Sequence, residues 1–179
     1  MFTGQIVRGS QCCSCANLTC LHQEFRVLSL CVDSSKAAQK IEECLENHRH
    51  LEDLVEDNQV YCDGHCKDKT SRRTQVLLQR APPILVIQLQ RFKQTNWRST
   101  TEKIGTRVIF PVSQSLNLTQ NMFMRDETRP LEYKLQAVCA HIGSSMDAGH
   151  YIAYSRDTVT IVGPGLTMTE ASAVVTQMK

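Results

Sequence analysis

The stretch DAGHYIAYSRD, residues 147–157, contains a histidine whose position suits acid–base chemistry. His150 follows Gly149 directly and begins an alternating apolar run, which predicts a half-buried strand. An imidazole can take up and return a proton near neutral pH, and a preceding glycine allows a substrate backbone to approach closely. These residues fit a general base. A packed structural histidine fits them too and, from the residues alone, is the commoner case.

Two short cysteine pairs have the spacing of metal ligands. Each pair offers soft ligands within one loop: Cys12 with Cys15, where Cys13 is an alternative ligand, and Cys62 with Cys66, where His65 is an alternative. Zinc prefers four such ligands in a tetrahedron, and two loops can supply them from opposite sides. The pairs therefore favour a zinc-ribbon-like site. The alternative is a set of free thiols from a degenerate site, because C-D-G-H-C is irregularly spaced.

The full cysteine count favours metal ligation over disulfides. The chain has nine cysteines, an odd number, and its N-terminus shows no basic segment followed by an apolar stretch. Cys31, Cys44 and Cys139 lie in apolar or helical patterns and are predicted to be inert, buried thiols.

Length and charge limit the functional classes. The 179 residues, 41% of them hydrophobic, are enough for one domain with a real core. A formal charge of +2 is too small to indicate nucleic-acid or membrane binding, and no run of about 18 apolar residues is present. We therefore expect an intracellular protein, in the cytoplasm and/or nucleus, that binds neither nucleic acid nor membrane.

Mostly β-strands are predicted to position these groups. Residues 24–33 alternate apolar and polar side chains and predict a strand. Residues 37–54 repeat apolar side chains at near-helical spacing after Ser34 and Ser35, which can cap a helix. Further strands are predicted over residues 76–80, 84–92, 107–112, 133–143 and 150–156, with a break at Pro82 and Pro83 and a polar loop or hairpin over residues 94–103. The last two strands should pair as a hairpin.

Several segments, in chain order, resemble the C-terminal part of the catalytic domain of the ubiquitin-specific proteases. They are MFTGQIVRGSQCCSC and EFRVLSLCVD (a strand, the first zinc knuckle and the following strand), YCDGHC (the second knuckle), APPILVIQLQRFK (the strand entering the palm), FPVSQSLNL (the loop and strand after it) and YKLQAVCAHIGSSMDAGHYIAYSR (the histidine box). Together they cover residues 1–156.

The resemblance implies an α+β fold of the papain-like cysteine protease superfamily, with a mostly antiparallel palm sheet and zinc-ribbon-like fingers. It implies that His150 is the general base for a cysteine nucleophile that attacks the carbonyl at the C-terminus of ubiquitin. Gly149 and Tyr151 are then expected to line the channel for the ubiquitin tail. The implied partners are ubiquitin and ubiquitinated proteins, and the implied cofactor is structural zinc on Cys12, Cys15, Cys62 and Cys66.

Two parts of the family pattern do not occur in this sequence. The box around the nucleophilic cysteine is not found, and after the histidine box the chain reads DTVTIVGPGL where the family has an Asp or Asn box. Asp157 is a poor orienting partner, because seven residues of one strand would place it about 23 Å from His150. We therefore expect fingers and palm without the thumb over residues 1–156, a divergent tail over residues 157–179, and no activity of the isolated chain.

CCSCA, residues 12–16, weakly resembles the papain nucleophile motif, and Cys15 precedes His150 by 135 residues. The aromatic residue that should follow the cysteine is absent, and no Asn follows His150. We therefore prefer the zinc interpretation of these cysteines.

Two functions remain open from the sequence. The chain is part of a cysteine-type deubiquitinase whose nucleophile lies outside this sequence, or it is a non-catalytic, zinc-stabilised module that binds ubiquitin or acts as a scaffold. A nucleic-acid-binding zinc ribbon lacks a basic, aromatic face, because QRFKQTNWR is more simply a polar loop.

Overall fold

The protein folds as an α+β chain in which strands dominate. The structure, a computed structural model, describes residues 1–94, 101–143 and 148–156 and the backbone of residues 171–177. The strands in chain order are β1 Gly4–Cys12, β2 Leu18–Phe25, β3 Val27–Cys31, β4 Ala38–Lys40, β5 Glu52–Leu54, β6 Val60–Tyr61, β7 Lys69–Thr70, β8 Arg72–Arg80, β9 Ile84–Gln90, β10 Phe92–Gln94, β11 Thr101–Lys103, β12 Arg107–Ile109, β13 Leu116–Asn117, β14 Glu132–Ile142, β15 His150–Ser155 and β16 Ala171–Gln177. The helices are α1, Ile41–Arg49, and two single 3-10 turns, Glu56–Asn58 and Thr119–Asn121.

Four strands form a finger sheet in the order β2-β1-β8-β5. β1 pairs antiparallel with β2 along one edge and with β8 along the other, where the register ends at Cys12 opposite Arg72. β6 and β7 form a separate antiparallel pair. Because β7 ends at Thr70 and β8 begins at Arg72, this small pair lies at the end of the finger sheet where β1 finishes.

A six-stranded palm sheet has the order β13-β14-β16-β9-β3, with β15 also paired to β14. β14 and β15 are antiparallel, from Ala137 opposite Ser155 to Ile142 opposite His150, which confirms the predicted hairpin. β3 runs parallel to β9. β16, from the predicted tail, pairs with β14 on one side and β9 on the other.

The core lies between the palm sheet and α1. β9 buries Leu85, Ile87 and Leu89 in alternation, as expected for a strand with one face against the core. α1 buries Ile41, Cys44 and Leu45, whose spacing places them on one side of the helix. These side chains belong to one continuous hydrophobic cluster.

The predicted helix over residues 37–54 is too long at both ends, and the predicted caps are wrong. Ala38–Lys40 pairs in parallel with Arg107–Ile109, and Glu52–Leu54 pairs antiparallel with β8. The helix instead begins after Lys40, whose backbone N–H donates to the Glu43 carboxylate at 3.0 Å. Strand partners distant in sequence thus override helical spacing at both ends of the segment.

The other predicted strands are confirmed in outline, and β8 and β9 are separated at Pro82 and Pro83 as expected. β10 and β11 pair antiparallel, which confirms a hairpin connection within residues 94–103. Asp157 and the loop residues 95–100 and 144–147 lie outside the described residues. In the part of the chain that is described, no helix is long and apolar enough to cross a membrane.

Candidate functional site

Four cysteines from two turns meet at the end of the finger sheet. Cys12 ends β1 and Cys15 lies in the turn that follows, while Cys62 follows β6 and Cys66 precedes β7. Their Sγ atoms all lie within 4.8 Å of one another. The Sγ–Sγ distances are 3.8 Å between Cys12 and Cys66 and 3.6 Å between Cys15 and Cys62. The structure therefore brings together the four cysteines selected from the sequence.

The two turns are closed by the same backbone hydrogen bonds, although their cysteine spacings differ. These bonds are Cys12 N–H to Asn17 O (2.9 Å) and Ala16 N–H to Cys12 O (2.9 Å) in the first turn, and Cys62 N–H to Asp68 O (2.9 Å) and Lys67 N–H to Cys62 O (3.1 Å) in the second. In both turns the residue after the second cysteine is left-handed, with φ of 58° at Ala16 and 52° at Lys67. The extra residue of C-D-G-H-C fits inside the second turn, so its spacing does not indicate a degenerate site.

A glycine lets the two turns touch. A Cβ atom added to Gly64 would lie 2.8 Å from Cγ of Asn17, closer than side-chain carbons approach each other. Asn17 also closes the first turn through its carbonyl. The side chain of one turn therefore packs directly on the backbone of the other, which holds the two cysteine pairs together.

The environment of the cluster favours thiolates. The Thr70 hydroxyl, 3.3 Å from Cys12 Sγ, and the backbone N–H of Cys15 lower the pKa of Cys12 to about 5. The backbone N–H of Asn17 lowers the pKa of Cys15. Cys66 sits beside these sulfurs, and its hydrogen bond with Cys15, together with burial, raises its pKa to about 12. A cation that binds the cluster would displace the proton that Cys66 retains.

The cluster fits a tetrahedral zinc ion. Zn–S bonds of about 2.3 Å place the sulfurs of a regular tetrahedron about 3.8 Å apart, close to the distances between these sulfurs. The donor set is entirely sulfur, which suits Zn²⁺. Four protein ligands leave no open coordination position, so a metal bound here would be structural rather than catalytic.

The remaining cysteines are placed differently from the sequence expectation. Cys44 is buried as predicted, but Cys31 and Cys139 are exposed, so the prediction was wrong for both. Cys139 lies between buried Val138 and Ala140 on β14 and so faces the outer side of the palm sheet. Cys31 ends β3, an edge strand of the same sheet. Cys13 is exposed, and neither Cys13 nor His65 belongs to the cysteine cluster.

His150 begins β15 and is exposed to solvent. A Cβ atom on Gly149 would overlap Nε2 of His141 and lie 2.7 Å from the carbonyl oxygen of Ile142, so a glycine is required there. Tyr151, 70% exposed, packs against the His141 ring with 4.9 Å between centroids. Because side chains alternate along a strand, Tyr151 and His150 point to opposite faces of β15.

His141 is central to this group and was not selected from the sequence. Its ring lies between Tyr151 and Phe92, with centroids 6.2 Å apart in the latter pair. Nζ of Lys103 lies 3.3 Å from its Nδ1 and donates to the carbonyl oxygens of His141, at 3.1 Å, and Gly143, at 2.5 Å. The antiparallel register of the predicted hairpin sets His141 opposite Tyr151. This pairing could have identified His141 from the sequence.

The described residues show no complete catalytic arrangement around His150. Within residues 1–94, 101–143 and 148–156, no side chain hydrogen-bonds its imidazole. Cys139 is the cysteine of the paired strand, and it lies opposite Ala153, on the other face from His150. Asp157, judged a poor orienting partner from the sequence, lies outside the described residues.

Comparison with known proteins decides the family. Residues 1–160 match the family model for ubiquitin carboxyl-terminal hydrolase. The chain belongs to the ubiquitin carboxyl-terminal hydrolase family. It is 31% identical over 153 residues to ubiquitin carboxyl-terminal hydrolase 4 of Arabidopsis thaliana, covering 86% of this chain and 40% of that protein. It is 30% identical over 154 residues to ubiquitin carboxyl-terminal hydrolase 12 of Salmo salar, covering 86% of this chain and 39% of the relative.

The fold of the chain is also similar to that of solved structures. A chain in the structure of the yeast SAGA DUB module with a mutant Sgf73 superposes with a TM-score of 0.81 at 22% identity, covering 100% of this chain and 41% of the other. A chain in the structure of the SAGA Ubp8/Sgf11/Sus1/Sgf73 DUB module bound to ubiquitin aldehyde superposes with a TM-score of 0.80 at 21% identity. The match covers 100% of this chain and 42% of the other. These similarities confirm the predicted fold class, and the chain spans about 40% of the length of these proteins.

Proposed function

We propose that this hydrolase-family chain forms the fingers and palm of a cysteine-type deubiquitinase, with His150 as the general base. The carrying observation is the position of His150 at the entrance of β15, within the family match and behind a glycine that no other residue can replace without a clash. The nucleophilic cysteine comes from outside this sequence. Such an enzyme would act on ubiquitin conjugates inside the cell, in the cytoplasm and/or nucleus.

In this proposal the imidazole of His150 takes the proton of the cysteine thiol, and the thiolate attacks the carbonyl at the ubiquitin C-terminus. His150 then returns the proton to the leaving lysine amine, and a water molecule releases ubiquitin from the acyl-enzyme. Gly149 leaves room for the extended ubiquitin tail at the entrance of the strand. Tyr151 and His141, packed on each other, support this passage from the opposite face.

The second part of the proposal is structural zinc held by Cys12, Cys15, Cys62 and Cys66. Its support is the sulfur geometry and the backbone closure shared by the two turns. When bound, zinc would cross-link the end of β1 to the β6–β7 pair, in which Val60, Tyr61 and Lys69 are exposed. The ion would play no part in the chemistry at His150.

A non-catalytic ubiquitin-binding or scaffolding module is the second candidate function. The observation that favours it is the environment of His150 in the described residues, where the imidazole has neither a hydrogen-bonded partner nor a cysteine on its own face of the hairpin. In that case the fold would recognise ubiquitin without cutting it.

Reaction with a ubiquitin probe that carries a C-terminal electrophile tests the origin of the nucleophile. We expect no covalent adduct by intact mass and no release of a fluorophore from a ubiquitin C-terminal reporter, while ubiquitin binds weakly. Turnover that His150→Ala abolishes and His50→Ala preserves would show that the chain contains its own nucleophile, and this part of the proposal would be wrong. Absence of any ubiquitin binding would count against both candidate functions.

Metal content tests the zinc proposal. We expect about one zinc per purified chain, because the described residues contain one four-ligand cluster. Cys62→Ser should remove most of the metal, because a hydroxyl is a poor substitute for a buried thiolate ligand. Cys20→Ser, at an exposed cysteine of β2, should leave the metal content unchanged. Equal metal content in both variants would contradict the assignment.

A further inference from the structure

The finger sheet contains a buried guanidinium directly opposite one of the clustered cysteines. Arg72 begins β8, is only 5% exposed and pairs with Cys12 in the β1–β8 register. Its Nη2 donates to the carbonyl oxygen of Ser10 at 2.9 Å and to Oγ1 of Thr19 at 3.1 Å. Both acceptors are neutral, and Nε of Arg72 is buried without a hydrogen-bond partner in the described part of the chain.

No carboxylate balances this charge among the described residues. The ion pairs found there involve partly or largely exposed side chains, and Arg72 takes part in none. The next residue differs: Arg73 has a 60% exposed side chain and pairs with Asp53 at 3.1 Å. A buried arginine without an anion is costly, because the guanidinium cannot lose its proton and the attraction of a partner does not offset the desolvation of its charge. A negative charge near Arg72 would therefore stabilise its buried guanidinium.

The cysteine cluster can supply that charge. Residues directly opposite each other in an antiparallel pair project to the same face, with Cβ atoms about 4.5–5.5 Å apart. Thr70, two residues before Arg72, lies on this face too and contacts Sγ of Cys12 at 3.3 Å. Four thiolates around one divalent cation carry two negative charges in excess. The side chains of Arg72 and Cys12 therefore project from one face of the finger sheet.

We propose that Arg72 is the counter-charge of the four-cysteine metal site and raises its affinity for zinc. The inference rests on the proposed zinc site. Arg72 is a positioning residue: it touches no substrate, and its charge offsets the excess negative charge of the metal-loaded cluster.

Competition for zinc against a chromophoric chelator tests this role in the full chain. Arg72→Gln removes the charge but retains a polar side chain that can donate hydrogen bonds. We expect a 10–100-fold loss of zinc affinity, the usual range for groups that support metal ligands. Arg72→Lys retains the charge and should stay within about threefold of the unmodified chain, because it still offsets the cluster. Arg73→Gln is the matched control and should bind zinc unchanged.

Stability separates a charge effect from a packing role. The proposal expects Arg72→Gln to lower the urea midpoint of the zinc-loaded chain by more than that of the chelated chain. An equal loss of urea midpoint in the zinc-loaded and chelated forms would overturn the proposal. An Arg72→Lys variant with a zinc affinity as low as that of Arg72→Gln would overturn it too. If the unmodified chain binds zinc at one equivalent and Arg72→Gln binds it equally well, only the role of Arg72 is lost. If the unmodified chain binds no zinc, the metal site itself is wrong.

Discussion

Individual side chains in the two candidate centres differ in how completely they are supported. The cluster cysteines have defined partners, such as Thr70 for Cys12. The distances between their sulfur atoms fit a tetrahedral zinc ion. His150 is exposed and has no hydrogen-bonded side chain in the described residues. At this scale the proposed zinc site is self-contained, whereas the proposed catalytic base needs further groups to act.

Tyr133 shows how one buried polar atom supports the palm. Its side chain is fully buried, and its hydroxyl donates to the carbonyl oxygen of Pro82 at 2.6 Å, at the break between β8 and β9. Burial raises the pKa of this phenol, so the hydroxyl keeps its proton and remains a donor. The contact joins β14 to the corner that connects finger and palm strands.

Tyr133→Phe should lower the free energy of unfolding by about 1–2 kcal/mol, because it leaves a buried carbonyl without its donor. Urea denaturation measures the change. Tyr61→Phe, at a half-exposed tyrosine, should change stability by less than about 0.5 kcal/mol. Equal effects in the two variants would show that the hydrogen bond to Pro82 contributes nothing.

The two turns that carry the clustered cysteines are equivalent elements despite different sequences. In each turn two backbone hydrogen bonds join the first cysteine to the two residues after the second cysteine, and the first of these two residues is left-handed. Neither left-handed position is a glycine, although residues with a Cβ atom adopt this conformation at a cost. The turns therefore carry backbone strain that the rest of the site holds in place.

Ala16→Gly should relieve part of this strain and stabilise the zinc-loaded chain by about 0.5–1 kcal/mol. The gain should appear as a higher urea midpoint. Ala38→Gly, within β4, is the control and should destabilise by about 0.5–1 kcal/mol, because glycine weakens a strand. Destabilisation by both substitutions to the same extent would argue that Ala16 is not strained.

For the whole molecule, the hydrophobic core and the four-cysteine cluster lie in different parts of the fold. The hydrophobic cluster draws mainly on α1, β3, β9 and β14, whereas the cysteines lie at the end of the finger sheet. Finger strand β2 is exposed along almost its whole length. The fingers therefore depend on local support that the palm does not need.

Removal of metal by chelation should loosen the fingers first. We expect amides near the ends of β1 and β8 to lose hydrogen-exchange protection, while those of β9 and β14 keep theirs, because these strands belong to the buried core. Cys62→Ser should show the same exchange pattern without the chelator. Equal loss of protection in palm and fingers would indicate that metal binding is coupled to the folding of the whole chain.

Sequence alone was sufficient for the family, the fold class, most palm strands and the four clustered cysteines, because motifs and alternation are local signals. Tertiary structure decided the rest. Strand pairing with segments distant in sequence limits the helix to Ile41–Arg49. Cys31 and Cys139 are exposed because each lies on the outer face of its strand. The role of His150 and the division of the chain at residue 156 stay predictions. Register across strands placed His141 beside Tyr151 and Arg72 beside Cys12, since contacts between paired strands depend on their alignment and not on spacing within one strand.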